Sequence, residues 1–309
     1  RLLKQRKVST AVCPHCNLAV PETEYHMYHD CPAWEPIRNQ VNFDQSAIAA
    51  LPTCTLVCGI GLMSPIFLDW EKARADKPEP LLDPSTHLPH IEFFTSEGRV
   101  KVWTDGASIP VASRLVYSGG CGAYWSPGHP NNFGIALPGK SQTSDRAELY
   151  AVLRAIEVET RRMLVISDNK YVVDTLNVLI AGGSATGAHQ DLWQRIATIL
   201  LQCPNRVGIQ KTKGHAKQMH IRMGLSSELD QRNNECADAL AENGAMQNIP
   251  PPAVVAEVLS SRKLLSKLQG MLMKIVEARE NAGIVQKLVD DHEQAKQRLR
   301  ALAGRRRAG

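Results

Sequence analysis

The sequence predicts an α/β fold, a mixed five-stranded sheet flanked by helices, with a small Cys/His module before it and a helical tail after it. Three observations carry this expectation. Strand-like runs and helix-like spacings succeed one another between residues 98 and 245, three strands first and strand–helix alternation afterwards. A cluster of cysteines and histidines precedes them, and apolar residues at near-heptad spacing follow Pro250-Pro251-Pro252.

Val100 to Thr104 reads as a strand that ends at Asp105-Gly106-Ala107-Ser108. Gly120 to Trp125 and Asn132 to Leu137 read as two more, joined by the Pro127-Gly128 turn. From Arg146 to Glu159 the apolar positions 149, 152, 153 and 156 give a helix. Met163 to Ser167 is a short buried-type strand that again stops at a carboxylate, Asp168. Helices over 169–181 and 190–202 are broken by Gly182-Gly183-Ser184; Val207 to Thr212 is a fifth strand and Asn234 to Asn243 a last helix.

Four segments follow: a Cys/His module at 1–40, a linker at 41–97, the α/β domain at 98–245 and a basic helical tail at 246–309. The linker is marked by Pro78-Glu79-Pro80 and by Asp83 to Pro89. In the tail, Val258, Leu265, Leu268, Leu272 and Ile275 suit a helix that packs on the domain, stands alone or pairs with a second copy.

The net charge of +5 is unevenly spread, with both ends basic around an acidic middle, which suits a polyanionic partner. No apolar run approaches the ~20 residues that span a bilayer, so no membrane partner is expected. The chain opens on Arg1 rather than Met, which suggests that it begins inside a longer polypeptide. Eight cysteines clustered toward the front, without a secretion signal, point to metal binding in a reducing, intracellular compartment.

The acids stand at informative places. Asp105 and Asp168 each end a strand, Glu148 lies in the first turn of a helix, and Asp238 lies near the start of the last one. Carboxylates at equivalent ends of neighbouring strands lie about one strand spacing apart, ~4.8 Å, and a helical Glu could complete the cluster. Such like charges repel unless a cation sits among them. Hard oxygen ligands select Mg²⁺, with Mn²⁺ as a substitute, and two ions ~3.5–4 Å apart would stabilise attacking water and leaving oxygen in a phosphoryl displacement.

In order along the chain stand Thr-Asp-Gly (104–106), Ser-Asp-Arg-Ala-Glu-Leu (144–149), Ser-Asp-Asn-Lys-Tyr-Val-Val (167–173), Lys-Gly-His-Ala (213–216) and Asn-Glu-Cys-Ala-Asp-Ala-Leu-Ala (234–241). Together these motifs resemble type 1 ribonuclease H, over roughly residues 98–245. The resemblance implies a ribonuclease H-like fold and hydrolysis of the RNA strand of RNA–DNA hybrids with two Mg²⁺ ions. Carried over by position, Asp105, Glu148, Asp168 and Asp238 would be the catalytic metal-binding carboxylates. His215 matches the family's histidine that assists proton transfer or product release, a residue type suited to proton exchange at neutral pH. Gly106, Ser144, Asp145 and Arg146 match positions that approach the hybrid.

Two departures stand out. Ser144-Asp145 occupies the place where the family commonly has asparagines, and the stretch from His215 to Asp238 is longer than in compact members, with His220 and Arg222 inserted.

At the front, Cys13, Cys16, His26 and Cys31 form a Cys₃His set that suits tetrahedral, structural Zn²⁺, with His29 and His15 as fallback ligands. So small a segment could hardly fold without its metal. The stretch resembles the zinc-binding segment that follows reverse transcriptases in non-LTR retrotransposons, which implies an upstream reverse transcriptase in the same polyprotein. Cys54 and Cys58 lack nearby partners and read as buried thiols; Cys121, Cys203 and Cys236 sit in core-like patterns. The leading expectation is an active hybrid endonuclease. A catalytically inactive nucleic-acid-binding remnant, a free-standing cellular ribonuclease H and a structural adaptor are the alternatives.

Overall fold

The computed structural model describes residues 11–41, 43, 48, 50–61, 63–79 and 91–305. The basic opening, residues 1–7, and the linker stretch from Asp83 to Pro89 lie outside the described residues. Two compact units separate: Pro65–Val258 forms one, and the described residues up to Ser64 together with those from Leu259 onward form the other.

The larger unit is built on a five-stranded sheet of β1 (Val100–Val111), β2 (Val116–Tyr124), β3 (Phe133–Ala136), β4 (Met163–Ser167) and β5 (Val207–Lys211), in the order β3-β2-β1-β4-β5. The first three strands pair antiparallel, while β4 lies parallel to both β1 and β5. This is the mixed sheet expected from the sequence. Among the described residues the α-helices are α1 (Glu35–Asn39), α2 (Thr53–Cys58), α3 (Pro65–Ala75), α4 (Ser144–Val158), α5 (Lys170–Ile180), α6 (Gln190–Gln202), α7 (Gln218–Arg222), α8 (Glu228–Met246), α9 (Pro252–Asn281) and α10 (Ile284–Arg305).

Side-chain oxygens start three of these helices. Thr143 accepts from the Arg146 amide, Asn169 from Val172 and Ser227 from Asp230, each satisfying a first-turn N–H that the helix leaves unpaired. Helix α4 is the most deeply buried, with Ala147, Leu149, Ala151, Val152, Leu153, Ala155 and Ile156 fully enclosed beside Trp125 and Trp193. The other face of the sheet receives α8 at very short range. A Cβ on Gly120 would lie 1.9 Å from the Ala245 nitrogen, so only glycine lets the helix backbone settle there, and Ala237, Ala241 and Ala245 form its small-residue face. Trp103 closes the same side, its indole N–H donating to Asp230 at 3.0 Å.

Several boundaries differ from those read in the sequence. Strand β1 does not stop at Asp105 but runs on to Val111, because β2 pairs with it through Val111↔Val116. Helix α8 begins at Glu228, six residues before Asn234; its polar first turns carry no apolar period and are held by Ser227 and Asp230. Helices α2 and α3 fall within the stretch 41–97 read as a linker. Two β-branched threonines and a valine in α2, and the exposed Ile66 and Leu68 in α3, hide the helical pattern.

In the smaller unit, Leu268, Met271, Leu272 and Ile275 pack with Cys13, Cys31 and Trp34. Arg279 pairs with Glu22 at 2.9 Å, and Gln269 donates to the Gly59 carbonyl at 2.8 Å. Of the near-heptad residues, Leu268, Leu272 and Ile275 thus bury against the Cys/His segment of the same chain. No helix among the described residues is long and apolar enough to cross a membrane.

Candidate active site

Strand β1 brings the first acid into place. Its parallel pairing with β4 ends at Trp103↔Ile166; two residues further on stand Asp105, still within β1, and Asp168, just past the end of β4. Asp105 therefore sits where β1 loses one neighbour and keeps the other, opposite Gly122 of β2.

Glu148 is the fifth residue of α4, in its second turn rather than the first turn expected from the sequence. Helix α4 crosses β1 so closely that a Cβ on Gly106 would lie 2.1 Å from the Glu148 nitrogen. Glycine at this position is what lets Glu148 stand beside Asp105. The approach is held at the helix entry, where Ser108 donates to the Gln142 carbonyl at 2.7 Å and the Gly119 amide donates to the Gln142 side chain at 2.7 Å.

Oxygens of Asp105, Glu148 and Asp168 all lie within 4.8 Å of one another. Asp105 is 8% exposed and Glu148 5%, so water screens little of their repulsion. Burial, then the charge of Asp168, pushes the Asp105 carboxyl up to about 7, against the Gly106 amide that donates to it at 2.7 Å. Burial, then the charges of Asp105 and Asp168, hold Glu148 well above the usual carboxylate range. Its Oε2 is buried without a hydrogen-bond partner. An orphaned oxygen in a knot of hard oxygen donors suits a divalent cation.

Asp238 of α8 stands outside that trio. Burial and Glu242 raise its pKa, Asp168 adds to this, and His215 opposes it. Gly214 passes so near that a Cβ there would meet the Asp168 Oδ2 at 2.0 Å, and the exposed His215 follows with φ +43°, left-handed backbone that costs a non-glycine residue about 1 kcal/mol. The need for glycine at 214 was readable only as part of the Lys-Gly-His motif.

The expected substrate contacts divide. Ser144 and Asp145 are exposed at the start of α4, and Asp145 accepts from the Asn169 amide at 3.2 Å. The Arg146 guanidinium is held by Asp191 through bonds of 3.0 and 2.6 Å, and Gly106 is occupied in helix packing. Asn169 and Asp191 were not singled out in the sequence. Asn169 adjoins Asp168, but nothing local ties Asp191 to a residue 45 positions earlier.

The Cys/His set also converges. Ligand atoms of Cys13, Cys16, His26 and Cys31 lie within 4.8 Å of one another, with Cys13 and Cys31 sulfurs 3.9 Å apart and the Cys16 sulfur 3.5 Å from His26 Nε2. A backbone bond from Cys13 to Val20 shapes the first loop, and the His26–Asp30 turn ends with the Cys31 amide donating to the His26 carbonyl at 2.7 Å. The fallback histidines stand outside this set: His15 lies against Trp34, and the His29 ring bonds the Leu56 carbonyl. Burial pushes Cys13 up to about 12 and also raises Cys31, so bare thiolates are disfavoured there until a cation offsets their charge. Cys54 and Cys58 are exposed, not buried thiols, because α2 turns Thr55 and Leu56 inward instead. Cys203, at the end of α6, is exposed as well, Cys236 is half-buried and Cys121 is in the core.

The raised carboxyl of Asp105 has a consequence for stability. Its folded pKa of about 7 exceeds the ordinary 3.8, so its contribution is intact below about pH 4 and is lost as pH rises through 7. In magnesium-free buffer, Asp105→Asn is expected to stabilise the protein by roughly 2 kcal/mol at pH 8.5 and by little at pH 4. Thermal unfolding at the two pH values checks this; equal stability at both would mean the cluster carries no repulsion.

Residues 97–246 match the family model described as RNase H. Among known proteins, human Ribonuclease H1 is 30% identical over 177 residues, covering 55% of this chain and 58% of its own length. Ribonuclease H of Schizosaccharomyces pombe is 25% identical over 167 residues, covering 51% and 57%. The chain thus spans a little over half the length of the curated relatives it matches. Among solved structures, the PFV RNase H domain in solution is similar at a TM-score of 0.38 and 24% identity, over 48% of this chain and 94% of that one. A crystal structure of LC11-RNase H1 with an RNA/DNA hybrid is similar at a TM-score of 0.34 and 14% identity, over 48% and 96%. Residues 97–246, just under half of this chain, are thus similar to RNase H in both the family match and the relatives in sequence.

Proposed function

We propose that this chain hydrolyses the RNA strand of RNA–DNA hybrids at the Asp105–Glu148–Asp168 cluster. The observation that carries the reading is the cluster itself: three carboxylates within 4.8 Å, one with a buried oxygen lacking a partner, inside the residues that match RNase H. The similarity to human Ribonuclease H1 supports the same reaction class.

In this reading Asp105, Glu148 and Asp168 hold two Mg²⁺ ions, or Mn²⁺ in their place, and Asp238 assists from α8. The bound ions supply charge compensation for the scissile phosphate and a more acidic attacking water. The chain's own part is positioning. Gly106 sets Glu148 against Asp105, and the bond from Asn169 braces Asp145 at the helix start. His215, exposed beside Asp168 and Asp238, hands a proton to the departing 3′ oxygen through its ring nitrogen. Asp145 accepts a 2′-hydroxyl, the group that separates RNA from DNA.

Cys13, Cys16, His26 and Cys31 hold a structural Zn²⁺ in the same reading. A zinc module at 1–40, joined through 41–97 to the hydrolase at 98–245 and its basic tail at 246–309, suits the C-terminal part of a retrotransposon polyprotein, downstream of a reverse transcriptase.

Incubation with end-labelled RNA–DNA hybrid, RNA–RNA and DNA–DNA duplexes in Mg²⁺ tests the activity. Only the hybrid should be cut, and Asp105→Asn should lower turnover by about 10³-fold or more while the chain stays folded. Cutting of all three duplexes, or near-normal turnover by the variant, would overturn the assignment. Metal analysis tests the second site: about one Zn²⁺ per chain, lost in Cys16→Ser, with hybrid cleavage retained. Protein prepared under reducing, chelator-free conditions and found to hold no zinc would contradict it.

A further inference from the structure

We infer that the loop from Lys213 to Leu225, which leaves the edge strand β5 beside the carboxylate cluster, grips the sugar–phosphate backbone of a duplex bound there. The inference rests on the proposed hydrolase reading and extends it past the Lys-Gly-His-Ala motif to residues 217–225, which no motif covers.

Between Lys211 and Ser227 the sequence contains no carboxylate, while Lys211, Lys213, Lys217 and Arg222 are all cationic. Lys213, Lys217 and Arg222 are exposed, and none of them forms an ion pair among the described residues. The cations are not scattered on a loose strand. Thr212 and Ser226 hydroxyls meet at 3.1 Å and close the base of the loop, an arrangement typical of compact Ω-loops. Ala216 is buried at 6% exposure, the His220 ring accepts the Lys217 amide at 3.0 Å, and the Leu225 amide donates to the His220 carbonyl at 2.9 Å. His220, one of the two inserted residues, is therefore part of the loop's frame, and Arg222 is carried on it.

Position and charge point to a polyanion. The loop starts against the acid cluster: Lys211 Nζ donates to the Asp168 carbonyl at 3.3 Å, and Gly214 touches its carboxylate. Asp105, Glu148, Asp168 and Asp238 repel phosphate, so a nucleic-acid backbone needs a cationic flank to come close, and this loop is that flank. Met219, Met223 and Leu225 are 60%, 64% and 52% exposed among the cations, apolar surface that a row of sugars can cover.

The test is binding of the full chain to labelled RNA–DNA hybrid in Ca²⁺ over a range of salt, for wild type and Lys217→Gln/Arg222→Gln. Removing two phosphate contacts should reduce the slope of log Kd against log salt by about two and weaken binding on the order of tenfold at low salt. The melting temperature should stay unchanged, and Lys217→Arg/Arg222→Lys should restore the slope. If wild type cleaves hybrid but the variant keeps its slope and affinity, the loop inference fails alone. If the slope falls in a chain that does not cleave, the loop inference stands and the hydrolase reading fails. A wild type that does not bind hybrid overturns both.

Discussion

Repulsion among three clustered carboxylates, two of them buried and the third half-buried, is the constraint around which the larger unit is arranged. Asp105, Glu148 and Asp168 come from two strands and a helix, and none of those elements gains stability by presenting an acid to the other two. Burial and mutual charge raise Asp105 and Glu148 well above ordinary carboxylates. The scaffold holds them there regardless, through close backbone contacts that leave the acids no room to spread. Such uncompensated charge at the end of a packed sheet is physically sensible when a cation completes the site.

Those backbone contacts are made by small residues. Gly106 lets α4 press onto β1, Gly120 lets α8 settle on β2, and the Ala237–Ala241–Ala245 face keeps that helix near the sheet. The same approach that packs the core sets the distance between Glu148 and Asp105. Stability and site geometry are thus the same contacts seen from two sides, and a methyl group added at either glycine would disturb both.

Much of this was legible in the sequence where a local pattern coincided with the final structure. The run at 163–167 appears as β4, the run at 207–212 as β5 one residue shorter, and the helix read at 190–202 as α6 with the same ends. Thr-Asp-Gly and Ser-Asp-Asn marked the two strand-borne acids because apolar strand residues lead directly into a carboxylate. What stayed hidden depends on distant partners. Strand β1 continues past Asp105 because β2 pairs with it, and α8 starts early because Ser227 caps it and Asp230 receives Trp103. Arg146 reads as a free cation until Asp191 clasps it. The burial of Leu268 and Ile275 against Cys13 and Cys31 joins residues some 250 positions apart, beyond any periodicity.

The account stands on one claim, that a divalent cation relieves the charge of the Asp105–Glu148–Asp168 cluster. Proton-linked calorimetry addresses it most directly: Mn²⁺ is titrated into the zinc-loaded protein in two buffers of different ionisation enthalpy, at pH 7 and pH 9. Because ligands must lose their protons to bind metal, binding should release about one proton per chain at pH 7 and fewer at pH 9, and Asp105→Asn should remove most of the affinity. Saturable binding with no proton release at pH 7, or binding unchanged by Asp105→Asn, would contradict the account.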